Sequence, residues 1–441
     1  MNLGSGALVK GGMVVLVALL VLIPVQLLQG LVKERAQLRQ EAVARVARGW
    51  GGTQLLGGPV LAIPATIMRD DGRTALVDWY VLPETLTLES ELIVEDERRK
   101  LGVYEVPVYV TSVRAVATFD IAAKVASLMQ GPRATTVHLD RARLLVPVSD
   151  TRGVRDVRIT GTSVSGGVFE PDRSFVMGAL ATPLRADAQI DRGEHRFELT
   201  MQIAGTYSLS FMPLARSSSA QLAGNWVDPG FTRGFLPVER GVADGRFHAR
   251  WQVLDLNRGF GSAWFGDQVA GSALAESAFG VDLVQPVDLY QRAERSVKYA
   301  GLFIALSLLT LFVWEHLARR SVHPIQYGLM GLAMSVFYLL LLALAEHIGF
   351  TFAYLFAALA LCALMGFYLA GAFDSSVAGS SAGMGFAGVY ALLYLLVTSE
   401  DYALLAGSLA VFALLATAMV LTRRLDWYQA TGLKPRPAGA Q

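Results

Sequence analysis

Residues 321–400 read SVHPIQYGLMGLAMSVFYLLLLALAEHIGFTFAYLFAALALCALMGFYLAGAFDSSVAGSSAGMGFAGVYALLYLLVTSE, with no Lys or Arg and only Glu346, Asp374 and Glu400 carrying formal charge. A bilayer core takes about 20 apolar residues in helical form, because lipid offers a backbone no hydrogen-bond partners. The stretch therefore predicts three consecutive membrane helices, over 321–345, 346–374 and 375–399. Working outward, 299–318 is apolar apart from Glu315, and 402–422 and 11–32 are uncharged. The chain thus predicts one N-terminal membrane helix and five C-terminal ones.

Between them, residues 33–298 are charged throughout, with hydrophobic runs of only a few residues. The mean hydropathy of +0.43, with 53% hydrophobic and 17% charged residues, averages these two materials. The intervening domain holds 31 basic and 31 acidic residues. Such a neutral balance lacks the clustered cations that nucleic acid demands, so no nucleic-acid partner is expected. A single cysteine, Cys362, excludes a disulfide framework and any multi-thiolate zinc site. It lies within a predicted membrane helix.

Residues 34–48 are rich in Ala, Gln, Glu and Arg and extend the first helix as a stalk, ended by Gly51 and Gly52. Beyond it the apolar period falls from about 3.6 to 2, the mark of half-buried strands. Strands are expected over 86–94, 103–119, 135–148, 154–160, 194–211 and 247–254, with one helix over 121–130 and a second over 268–279. Successive strands without regular intervening helices predict an all-β, antiparallel, sandwich-like domain. The expected divisions are 1–32 (N-terminus and anchor helix), 33–298 (β domain with its stalk), 299–422 (five-helix membrane domain) and 423–441 (tail).

Orientation follows from Lys and Arg in the short loops. Arg319 and Arg320, and then Arg423, Arg424, Lys434 and Arg436, mark cytoplasmic positions, which put both termini inside and the β domain outside. The first apolar run exceeds the 7–15 residues of a signal-peptide core and no convincing A-x-A cleavage site follows it, so it reads as an uncleaved anchor. In a bacterium the β domain would be periplasmic.

Trp50 and Gly51, followed by Gln54 and Gly58-Pro59-Val60-Leu61-Ala62-Ile63-Pro64, resemble the N-terminal signature of the CreD family of bacterial inner-membrane proteins. The likeness continues through Val103-Tyr104-Glu105-Val106-Pro107-Val108-Tyr109, residues 226–237, Arg295-Ser296-Val297-Lys298-Tyr299-Ala300, His323-Pro324-Ile325-Gln326-Tyr327, Ala345-Glu346-His347 and Glu400-Asp401-Tyr402-Ala403-Leu404-Leu405, in family order. Two places depart from it: Ala215 after Pro213-Leu214, where glycine is expected, and Val227-Asp228-Pro229-Gly230 after Trp226. The resemblance implies an inner-membrane protein of cell-envelope integrity, under an envelope-responsive two-component regulon and linked to tolerance of colicins and β-lactams. It implies no reaction and no cofactor.

The chemical motifs favour a non-enzyme. Residues 379–383 fit G-x-S-x-G and 383–388 fit G-x-G-x-x-G, but both lie in a membrane-helix context without the strand that either chemistry requires. Gly379 and Gly383 read instead as a small-residue face for helix packing, with Ser380 and Ser381 beside it. Glu346, His347, Glu400 and Asp401 fall in turns on one side of the membrane and form a candidate polar cluster at the periplasmic interface. Glu315 stands four residues before Arg319, the favourable order for a helical ion pair. His138, His195 and His248 have no metal-ligand spacing, so no metal is expected. Trp226, Pro229, Phe231 and Pro237 form a candidate interaction loop. The leading expectation is a β domain that contacts a periplasmic or peptidoglycan-associated protein, with the lipid bilayer as the other partner. A transporter or lipid-handling protein built on the C-terminal helices is the alternative.

Overall fold

The computed structural model describes residues 3–398 apart from 69–72, 96–98, 102–103, 130–133, 162–163, 165–166, 186–191, 232–233, 267, 284–288 and 318–321, and beyond them only positions 405, 408–409, 412, 415–416 and 419–420. Seven helices are described: α1 (Leu3–Trp50), α2 (Ile121–Met129), α3 (Gly271–Glu276), α4 (Leu289–Leu317), α5 (Pro324–Ile348), α6 (Phe350–Phe373) and α7 (Ser376–Thr398). The chain divides into two compact units, one of residues 1–39 with 287–441 and one of residues 40–286.

In the helical unit, α1 buries Val21, Val25, Leu28 and Val32, a stripe spaced by four, three and four residues, while Leu19, Leu20, Ile23 and Leu27 stay exposed. Gly331 of α5 admits Val21, whose methyl lies 2.6 Å from where a Cβ would stand. α6 exposes Phe352, Leu355, Phe356 and Phe367. A water-soluble bundle would hide such residues; a lipid-facing surface displays them. Among the described residues α5, α6 and α7 are long and apolar enough to cross a membrane, where the sequence predicts five such helices in this part of the chain. α4 is one continuous helix containing the predicted segment 299–318 except its last residue, and 402–422 lies mostly outside the described residues.

The β unit is built around a seven-stranded sheet. Its spatial order is Val154–Thr160, Glu194–Thr206, Val108–Asp120, Thr85–Val94, Ser217–Gly224, Arg246–Leu254 and Glu239–Ala243. Strict alternation serves each strand: Arg246–Leu254 buries Phe247, Ala249, Trp251 and Val253 and exposes the residues between. Those side chains share one core with Leu61, Ile63, Trp79 and Val81 of a second sheet, which includes Val60–Met68 and Thr74–Val81, and with Phe211 and Phe279 of a four-stranded sheet. The opposite face of the second sheet is also covered. Val60, Ala62, Tyr80 and Leu82 join Phe260, Trp264 and Leu274 in a smaller cluster. That double burial explains the uninterrupted apolar run Val60-Leu61-Ala62-Ile63.

Two pairings correct the antiparallel expectation. Thr85–Val94 runs parallel to Ser217–Gly224, and Gln54–Gly57 parallel to Ser208–Met212. Parallel neighbours need long crossovers, and here the intervening chain first builds other strands, which local periodicity does not reveal. The predicted strand over 194–211 is broken at Tyr207, whose φ of 62° turns the backbone out of the seven-stranded sheet and into the four-stranded one. Likewise 135–148 divides into Ala134–Val137 and Arg143–Pro147, and the helix expected over 268–279 shortens to α3.

Candidate functional site

The outward face of the seven-stranded sheet is a polar concavity of about 880 Å³. Register aligns its side chains in ranks across strands that are far apart in sequence. Arg158, Thr200, Arg114, Glu89, Gln221, Arg250 and Glu239 occupy successive partner positions. Two residues along each strand, the next rank is Asp156, Gln202, Ser112, Glu91, Ala223, His248 and Gly241. Ala223 and Gly241 lower the floor of this second rank, and a Cβ on Gly241 would overlap the His248 ring.

The charges pair along the face. Arg114 Nε donates to Glu198 Oε1 at 2.7 Å and lies 3.6 Å from Glu89; Arg250 donates to Glu239 at 2.7 Å, and Arg246 to Glu91 at 3.1 Å. The hydrogen bond from Arg114 holds the Glu198 carboxyl below the usual carboxylate range. The Ser112, Gln202, Gln221 and His248 side chains make no hydrogen bond among the described residues, so donors and acceptors line the floor ready for a ligand. The lining has no aromatic ring besides that of His248. Among the described residues no group of His, Cys, Asp and Glu is arranged to hold a metal.

The residues singled out from sequence lie elsewhere. Glu346 is nearly buried in the last turns of α5, accepts the Tyr290 hydroxyl of α4 at 3.0 Å and stands 3.9 Å from Arg35 of α1. It therefore joins three helices. His347, beside it, is exposed, while Glu400 and Asp401 lie outside the described residues, so the four are not brought together among them. Trp226 and Phe231 are not on display. Both are buried in the main core, where Phe231 packs edge-on against Phe247 and Trp251 at 6.1 and 5.9 Å. Pro229 pairs with Leu283 at the edge of the four-stranded sheet, and Pro237 is half-buried. The aromatic residues of this loop are structural anchors because burial of ring surface outweighs exposure.

Gly379 and Gly383 face α6, where a Cβ on Gly379 would overlap Ala370 and one on Gly383 would lie 3.2 Å from the Cys362 carbonyl. The Ser380 and Ser381 hydroxyls donate to the carbonyls of Val377 and Ala378 in their own helix, at 3.1 and 2.9 Å. The Glu315 side chain lies outside the described residues. His138 Nε2 lies 3.1 Å from Thr66 Oγ1 and His195 Nε2 lies 3.0 Å from the Arg192 carbonyl, each a local structural contact. Sequence reasoning missed the ranks on the sheet and the partners of Glu346. Alternation marks the outward residues of each strand, but only the register aligns them.

A family model described as Inner membrane protein CreD matches residues 6–428. Inner membrane protein CreD of Escherichia coli strain K12 is 32% identical over 434 residues, which cover 93% of this chain and 91% of that one. Among solved structures, a zinc metallopeptidase from Deinococcus radiodurans aligns with 81% of this chain and 95% of its own at 11% identity; its TM-score of 0.16 carries no argument. Both the family model and the E. coli relative span nearly the whole chain, β unit and helices together: the chain belongs to the CreD family of inner membrane proteins.

Proposed function

We propose that this protein contributes to cell-envelope integrity and tolerance of envelope-directed agents without catalysing a reaction, through contacts that its β domain makes in the periplasm. In this reading α4 and residues 402–422 cross the membrane with α5, α6 and α7, giving five spans after the domain and one before it. Both termini are then cytoplasmic, in keeping with Arg319, Arg320, Arg423 and Arg424. Membership in a two-component, envelope-stress regulon fits this role.

The observation that carries the reading is the polar concavity. A face of seven strands offers unengaged amide, hydroxyl and imidazole groups between paired charges, which suits a hydrated, hydrogen-bonded protein contact. The non-catalytic reading draws support from Ser380 and Ser381, whose hydroxyls are held by their own helix. The partner is a periplasmic or peptidoglycan-associated protein.

The test is complementation of envelope tolerance by a variant carrying Gln202→Arg and Gln221→Arg. Both side chains are exposed, so the fold tolerates the change. The reading expects normal membrane abundance with tolerance lost. Full tolerance at equal abundance would refute it.

A further inference from the structure

We propose that Arg292 and Arg295 of α4 form a binding site for the phosphate of an anionic phospholipid. The proposal goes beyond the envelope role and stands independently of it. The first turns of α4 bury Tyr290, Ala293, Ser296 and Val297 against the bundle and expose Glu294 and Lys298. Arg292 and Arg295 lie between these faces, both half-buried and one helical turn apart.

The Arg292 guanidinium lies over the ring of Phe350, the first residue of α6, 5.8 Å from its centroid. Its Nε is buried and has no hydrogen-bond acceptor. A buried donor left unmade is costly, more so on a charged group. Glu346, which accepts from Tyr290 and stands 3.9 Å from Arg35, makes no hydrogen bond to that Nε. One anion with several acceptor oxygens answers this: it accepts from the orphaned Nε–H, with Arg295 one turn away adding a second positive charge.

Placement selects a lipid as the source of that anion. These residues sit where the apolar helices end, with α5 stopping at Ile348, α6 starting at Phe350 and the apolar run of α4 beginning at Tyr299. Just below, α6 presents exposed Phe352, Leu355 and Phe356 to acyl chains. A phospholipid matches this sequence of charge and then apolar surface, and the planar guanidinium fork matches a phosphate better than an ammonium would. Gly349 caps α6 without a side-chain acceptor, leaving first-turn N–H groups of the same sign of potential nearby.

The experiment uses the full chain in nanodiscs of phosphatidylcholine, with phosphatidylglycerol titrated in and the unfolding midpoint recorded. Phosphatidylglycerol is expected to stabilise the wild type. In Arg292→Gln the apparent affinity should fall about tenfold, the loss expected for one charge-assisted hydrogen bond. Arg292→Lys, which keeps the charge and loses the fork, should fall between the two. Lys298→Gln, which removes an exposed charge from the same helix, should bind as the wild type does, separating a site from general attraction. If Arg292→Gln does not assemble, Arg292→Lys and Arg295→Lys carry the comparison. Equal stabilisation of the wild type and the arginine variants would overturn the proposal. So would stabilisation by inorganic phosphate in pure phosphatidylcholine discs that matches the phosphatidylglycerol effect, since it would make the ligand a free anion.

Discussion

The Asp150 carboxylate accepts the backbone N–H of Gly52 at 2.9 Å, across 98 residues of sequence. Arg152 donates to the same group through Nε at 2.8 Å and Nη2 at 2.9 Å. Beside it, Gln54 Nε2 donates to the Asp150 and Ala204 carbonyls. The point where the chain leaves α1 and enters the β unit is thus fastened by a carboxylate from the connection between strands Arg143–Pro147 and Val154–Thr160. Gly51, at φ 124°, makes the exit possible, since a Cβ there would lie 2.6 Å from the Ala204 oxygen.

Hydrogen bonds from Arg152, reinforced by the Gly52 N–H, hold the Asp150 carboxyl below the usual carboxylate range in spite of burial. Its folded value lies under its unfolded one, so its contribution is complete above the unfolded carboxylate pKa of about 3.9 and is lost as pH falls through the folded value. Asp150→Ala should lower stability at pH 7 by about 1–3 kcal/mol, the cost of an orphaned N–H. Asp150→Asn should lose less and flatten the acid limb. Unfolding midpoints of the full chain in detergent, compared from neutral pH down into the acid range, check both; an unchanged acid limb in Asp150→Asn would refute the assignment.

Arg258 presents the opposite case. It is 9% exposed, its guanidinium donates once, to the Pro213 carbonyl at 2.6 Å, and lies over Phe260, while Nε and Nη2 have no acceptor. Desolvation brings its pKa down to about 10, partly offset by Asp255, so it stays charged at neutral pH. Arg258→Met, which fills the same space without a charge, should leave stability unchanged or raise it by about 1 kcal/mol. A marked drop in the unfolding midpoint would show that the guanidinium supports the loop around Pro213, where the chain departs from the family pattern.

The contact of α6 with α7 depends on missing side chains. Gly379→Val should force Ala370 and the Gly366 carbonyl away and destabilise the helical unit by about 1–3 kcal/mol or more. Gly385→Ala is the control, because nothing lies within 4 Å of its added Cβ. Equal midpoints for the two variants would contradict the packing.

Much of this architecture was legible in local sequence. The change of period after Gly52 locates the β unit, the alternation in Arg246–Leu254 assigns its faces, and Ile121–Met129 stands within a residue of the predicted helix. What failed was non-local. Nothing near Thr85–Val94 announces that Ser217–Gly224 will lie parallel beside it, and without that pairing Glu89 and Gln221 cannot be placed side by side. The loop of Trp226 and Phe231 misled for a related reason: aromatic and proline-rich composition is shared by docking patches and packed corners, and only the positions of Phe247 and Trp251 distinguish them.

Orientation has its own test. In a Cys362→Ser background, Gln202→Cys should react with a membrane-impermeant maleimide added to spheroplasts, because position 202 is exposed on the β unit and periplasmic in this account. Labelling only after lysis would place the domain in the cytoplasm.

Engagement of a periplasmic partner by the concave sheet face is tested by photocrosslinking in living cells from position 221, with position 256 as reference. Gln221 stands in the middle of the first rank, whereas Leu256 is 87% exposed in a turn away from it. A discrete adduct is expected from position 221, lost when Gln202→Arg is added, and none of that size from position 256. Identical adduct patterns from the two positions, or no adduct at 221 in cells with full envelope tolerance, would contradict it.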